Sequence, residues 1–176
     1  TSASNVREQK TFKYGNIRVN LFGRGMLGAE SYTVNNLVLD NSVTTEYHQD
    51  FPLIGREKST KSQVDVSLGS PITISESSLE WDATNSAPYR VTPDKQTSID
   101  YEQSPHSSYA KTIADFTFDT YGNLTNKTVT LFDMLNSEAE VSEYTYSATY
   151  PFESGYNSVA DWTISFAQSE TESWSR

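Results

Sequence analysis

At 176 residues and 19.7 kDa, with 35% hydrophobic and 12% aromatic side chains, the chain is sized for one domain with a real core. No apolar run approaches the ~20 residues of a spanning helix, and the absence of cysteine excludes disulfides, zinc thiolates and thiol nucleophiles. The net charge of −10 is uneven: residues 1–61 hold eight basic against six acidic side chains, or +2, and residues 62–176 five against seventeen, or −12. So acidic a chain repels a phosphate backbone, which disfavours ordinary nucleic-acid binding.

In chain order, the polar opening TSASNVREQK has no apolar stretch of the signal-peptide kind, and residues 1–12 read as an extended arm. Ile17, Val19 and Leu21 then alternate as on a strand. Next comes a G-x-G-x-x-G, Gly23, Gly25 and Gly28, ending near an acidic residue, Asp40. A dinucleotide-binding turn would need a crossover helix before the next strand. Only AESYTVNN separates Gly28 from the next apolar run, too short for such a helix. The segment Gly23, Arg24, Gly25, Met26, Leu27 and Gly28 therefore reads as a hairpin connection between strands near 16–22 and 31–39, with glycine supplying positive φ.

Period two continues at Val64, Val66 and Leu68, at Ile72 and Ile74, at Phe116 and Phe118, and at Val129 and Leu131. It returns in Tyr144, Tyr146, Ala148 and Tyr150, and finally in Trp162, Ile164 and Phe166. The intervening residues are mostly Ser, Thr, Asp and Asn, the pattern of half-buried antiparallel strands. The predicted core is Ile17, Val19, Leu21, Val64, Val66, Phe116, Phe118, Val129, Leu131, Trp162, Ile164 and Phe166. Helix is scarce: Ser77 and Glu80 in SSLEWDA have capping-box spacing, SSYAKTIADF (107–116) could begin as a short helix, and LFDMLNSEAE (131–140) could end in a helical turn. Residues 82–108, with Pro88 and Pro93, read as a long surface loop or arm. The fold class is mainly β, a single antiparallel barrel or sandwich domain over residues 1–176.

Chemistry is sparse. Glu46, His48 and Asp50 alternate, yet no second histidine lies near enough in sequence to make a convincing metal site. Serine is plentiful, but there is no G-x-S-x-G to mark a nucleophile. Glu138, Glu140 and Glu143 could be paired carboxylates of a glycosidase, although a solvated acidic face explains them more simply. Asn123-Leu-Thr125 and Asn126-Lys-Thr128 match glycosylation sequons. Nothing points to an enzyme, a metal or a cofactor.

The C-terminal third, from FTFDTYGN to SETESW, holds Thr128–Phe132, Asn136–Val141, Tyr144–Tyr150, Asn157–Ser158 and Trp162–Phe166 with Trp174 in that order. This succession resembles the tail-tube proteins of contractile-tailed phages, a family related in fold to the haemolysin-coregulated tube protein of type VI secretion. The resemblance covers mainly residues 112–176. It departs from the family at Leu135, near which a Pro is usual, and around 77–116, where the family's amphipathic helix is not evident. The resemblance implies a small β-barrel that joins copies of itself into rings, six-membered in the family, stacked as a virion tail tube assembled in the host cytoplasm. Its partners would be further copies, sheath, tape-measure and baseplate proteins, with DNA as non-adhering cargo and no membrane insertion. On that reading Gly23–Gly28 is an inter-subunit loop, and Glu138, Glu140 and Glu143 belong to an acidic lumen or surface. The runner-up is a secreted β-sandwich that binds carbohydrate or protein.

Overall fold

The computed structural model describes residues 9–65, 69–84, 86, 88–102, 108–135, 139–150 and 167–175. Among these there are strands and turns but no helix. The strands are β1 (Lys10–Gly15), β2 (Arg18–Asn20), β3 (Gly25–Gly28), β4 (Ser31–Asn36), β5 (Asn41–Tyr47) and β6 (Glu57–Val64). They continue as β7 (Ile72–Ala83), β8 (Val91–Tyr101), β9 (Ser108–Phe118), β10 (Leu124–Asp133), β11 (Ala139–Thr149) and β12 (Ser169–Ser175). Ten form one antiparallel sheet in the order β1-β4-β5-β6-β7-β8-β9-β10-β11-β12, and β2 with β3 forms a separate ribbon. From β4 onward every strand lies beside the next in sequence and runs antiparallel to it. By internal contacts the chain divides into two compact units, Thr1–Ser78 with Ile99–Ser108 and Leu79–Ser98 with Tyr109–Arg176.

The helices expected around Ser77–Ala83 and 107–116 are strands from Ser77 to Ala83 and from Ser108 onward. From Ser77 to Ala83 the residues alternate between half-buried and exposed, with Leu79 and Trp81 on the sheltered side and Glu80 and Asp82 outside. The capping-box letters are read here at period two. Ser108–Phe118 is β9, pairing with β10 from Phe118↔Leu124 to Ala110↔Asp133. Leu131–Asp133 ends β10 and Ala139–Glu140 opens β11, while residues 136–138, within the stretch where a helical turn is expected, lie outside the described residues. The loop expected over 82–108 holds β8 at its centre. That strand includes Pro93, which lacks the N–H a ladder uses.

Hydroxyls and aromatics bind neighbouring strands. The registered pair Thr33 and Thr44 places the two Oγ1 atoms 2.9 Å apart, and Thr60 donates to its partner Thr45 at 3.1 Å. Lys127 Nζ lies 5.6 Å from the ring centre of its cross-strand partner Phe116, and Lys111 Nζ lies 5.5 Å from that of Phe132.

The predicted core requires correction. Among the described residues only Ala114 and Ala148 are buried apolar side chains, with Gln49 and Asn123 as buried polar ones. Val64, Phe116, Phe118 and Val129 are half-buried, and Leu131 is exposed. Ile17, Val19 and Leu21 are exposed because they belong to the ribbon and its turn rather than to the ten-stranded sheet. Alternation reports a strand and its two faces, but not whether anything covers a face. Val66, Trp162, Ile164 and Phe166 lie outside the described residues, as do residues 1–8 of the expected arm.

Candidate functional site

The glycine-rich segment is part of an inserted hairpin. β1 pairs with β4 from Lys10↔Asn36 to Gly15↔Ser31, and residues 16–30 leave the sheet between them as β2, a turn and β3. The partner of β2 is therefore β3 and not the strand at 31–36. Gly23, Gly25 and Gly28 all take positive φ, at 101°, 70° and 86°, which is what glycine supplies here. The register slips between Arg18↔Gly28 and Val19↔Met26, a bulge that adds twist to the ribbon. At the tip Asn20 Oδ1 accepts from Phe22 N at 2.9 Å and shapes the turn.

Gln49 pins the base. Its Nε2 donates to the carbonyls of Asn16 at 2.6 Å and of Gly28 at 3.0 Å, one on each leg of the excursion. Gln49 is only 6% exposed, and its buried Oε1 has no hydrogen-bond partner. Asn16 Nδ2 also donates to Glu30 Oε2 at 2.6 Å, and Glu30 N to Gly15 O at 3.0 Å. The guanidinium of Arg24 stacks 3.6 Å from the centre of the Phe51 ring. Phe51 belongs to the loop after β5, folded by His48 N→Arg56 O at 2.9 Å and Gly55 N→His48 O at 2.8 Å.

Outside this anchored base the hairpin is apolar and uncovered. Leu21 is 88% and Phe22 98% exposed, and Ile17, Val19 and Met26 are all more than half exposed. Beside them lies a cleft of about 600 Å³ whose lining includes Tyr14, Ile17, Met26, Leu27, Tyr32 and Tyr47. Tyr32 stacks with Phe12, ring centres 6.1 Å apart, and leans on Tyr14 at 5.1 Å. These exposed apolar side chains and the cleft beside them are the candidate site.

The acidic residues fall elsewhere. Glu138 lies outside the described residues. Glu140 opposes Phe132 and Glu143 opposes Thr130, so a bulge at Val141 brings Glu140 and Glu143 to one face despite their odd spacing. No group of three His, Cys, Asp or Glu that could hold a metal occurs among the described residues. Asn123 of the first sequon is buried, with Nδ2 given to Asp119 Oδ2 at 2.8 Å, so a glycan there would break the turn.

Sequence reasoning found the glycine loop but missed its working parts. Phe22 directly follows Leu21, so two large apolar side chains stand in succession in the turn after β2. That break in alternation is the signal for an uncovered tip. Nothing local marks Gln49, whose role depends on two carbonyls distant in sequence. No protein-family model and no curated protein matches the chain.

Proposed function

We propose that this protein is a structural subunit that assembles with copies of itself, the inserted hairpin being a contact element. The observation that carries this is the patch Ile17, Val19, Leu21, Phe22 and Met26, apolar and exposed on a hairpin that Gln49 holds in place. The scarcity of buried apolar side chains in the described sheet supports the same reading, because association supplies the missing burial. The residues resembling tail-tube proteins give the finer proposal: a subunit of a phage tail tube, assembled in the host cytoplasm, stacked in rings and conducting DNA. The charge of −12 on residues 62–176 suits a wall that DNA passes without adhering.

Electron microscopy and sedimentation of the purified protein over a range of concentrations test the reading. Rings or tubes support it, and a monomer at every concentration overturns it. Leu21→Ser with Phe22→Ser leaves the fold intact, because both side chains are exposed, and abolishes assembly. Tubes of wild-type quality from that variant would remove the hairpin as a contact.

A further inference from the structure

The sheet ends on β1 at one side and β12 at the other, and among the described residues neither outer edge pairs with another strand. Each edge offers a row of backbone N–H and C=O groups. The two edges are opposite in charge. β1 reads KTFKYG and carries Lys10 and Lys13, while β12 reads SETESWS and carries Glu170 and Glu172. Lys10 to Tyr14 are exposed, as is every residue of β12.

We propose that β1 of one copy pairs antiparallel with β12 of the next, so that the sheet runs on from chain to chain. This rests on the self-assembly reading and identifies the seam. Charge selects the pairing: two β1 edges set lysine against lysine and two β12 edges glutamate against glutamate, while β1 with β12 joins opposite signs. The selection does not depend on which face the strands share. Lys10 and Lys13 point to opposite faces of β1, so a lysine lies on whichever face Glu170 and Glu172 occupy. Strand count agrees as well. Ten antiparallel strands are an even number, so copies repeated in one sense keep directions alternating across every seam. A contact between unlike edges is heterologous, and it generates closed rings or open filaments rather than dimers.

The test uses two full-length variants, Glu170→Lys with Glu172→Lys and Lys10→Glu with Lys13→Glu. Each alone repels its own kind across the seam and raises the concentration needed for assembly about tenfold or more. An equimolar mixture restores opposite signs at every seam and assembles at the wild-type concentration. Wild-type assembly by either variant alone, or a mixture of folded variants that stays unassembled, overturns the seam. A wild-type chain that never assembles removes the self-assembly reading and the seam together, whereas indifferent variants remove the seam only. If either variant fails to fold, carbodiimide coupling of assembled wild-type protein decides, with isotope-labelled and unlabelled chains mixed. Links from Lys10 or Lys13 to Glu170 or Glu172 between differently labelled chains support the seam. Their absence, or links confined to single chains, overturns it.

Discussion

The hydroxyl of Tyr101 donates a hydrogen bond of 2.5 Å to Glu76 Oε1, while Lys61, the registered partner of Glu76, reaches Oε2 at 3.3 Å. One carboxylate on β7 thus joins β6 to β8. The Tyr101 hydrogen bond, more than Lys61, lowers the Glu76 pKa below 4.5, and Glu76 in turn raises the Tyr101 hydroxyl from 10.0 to about 12.

The signs set a pH window. The depressed carboxylate contributes stability above pH 4.5, lost as pH falls through its lower folded value. The raised phenol contributes below pH 10.0, lost as pH climbs through about 12. Tyr101→Phe therefore costs about 1 kcal/mol at neutral pH, discounted for a site that is partly exposed. It also flattens the acid limb of the stability curve. Urea denaturation from pH 3 to 8 checks this, and an unchanged acid limb would mean the hydrogen bond does not form in solution.

Gln49→Ala should cost about 1–3 kcal/mol, because two carbonyls at the hairpin base lose their shared donor. Amide exchange should rise in residues 16–30 and remain slow in β9 to β11. Uniformly faster exchange would show that Gln49 supports the sheet rather than the insertion.

Gly28→Ala tests the backbone alone. A Cβ at Gly28 meets nothing within 4 Å, yet φ is +86°, so the cost is conformational, about 1–2 kcal/mol. Combined with Gln49→Ala the losses should fall short of additive, since both loosen the same base. Thermal denaturation of the two single variants and the double variant gives the coupling.

Asp119 holds the β9–β10 turn: Oδ1 accepts from Tyr121 N at 2.8 Å and Asn123 N at 2.9 Å, and Oδ2 from the Asn123 amide. Burial pushes its pKa up, but these donors outweigh burial and leave it lowered. Asp119→Ala should cost about 2 kcal/mol near neutrality. The difference from wild type should shrink as acid protonates Asp119 in the parent. A constant difference down to pH 2 would exclude the charge as the cause.

Period two made the strands legible at Val64, Ile72, Phe116, Val129 and Tyr144, where an apolar residue recurs on one face. It failed in β8, where Thr92, Asp94, Lys95 and Gln96 supply no contrast and Pro93 speaks for a loop. At Ser77 and Glu80 the spacing of a helix start competes with the alternation of Leu79, Trp81 and Ala83, and the alternation prevails. The hairpin was legible through its glycines, because only left-handed backbone explains three so close together. The anchoring by Gln49 was not, since it depends on contacts made across the fold.

The order of strands also governs how the chain reaches this arrangement. From β4 to β11 each strand needs only its immediate successor across at most nine intervening residues, so pairing can zip along that stretch with little loop-closure entropy at any step. The two edge strands are the exceptions: β1 meets β4 only after residues 16–30 have turned out and back, and β12 meets β11 only after residues 150–168. Refolding should therefore show slower events at the two edges, β1 with its hairpin and β12, and it is in that interval that an unpaired β4 or β11 is open to capture by the wrong neighbour.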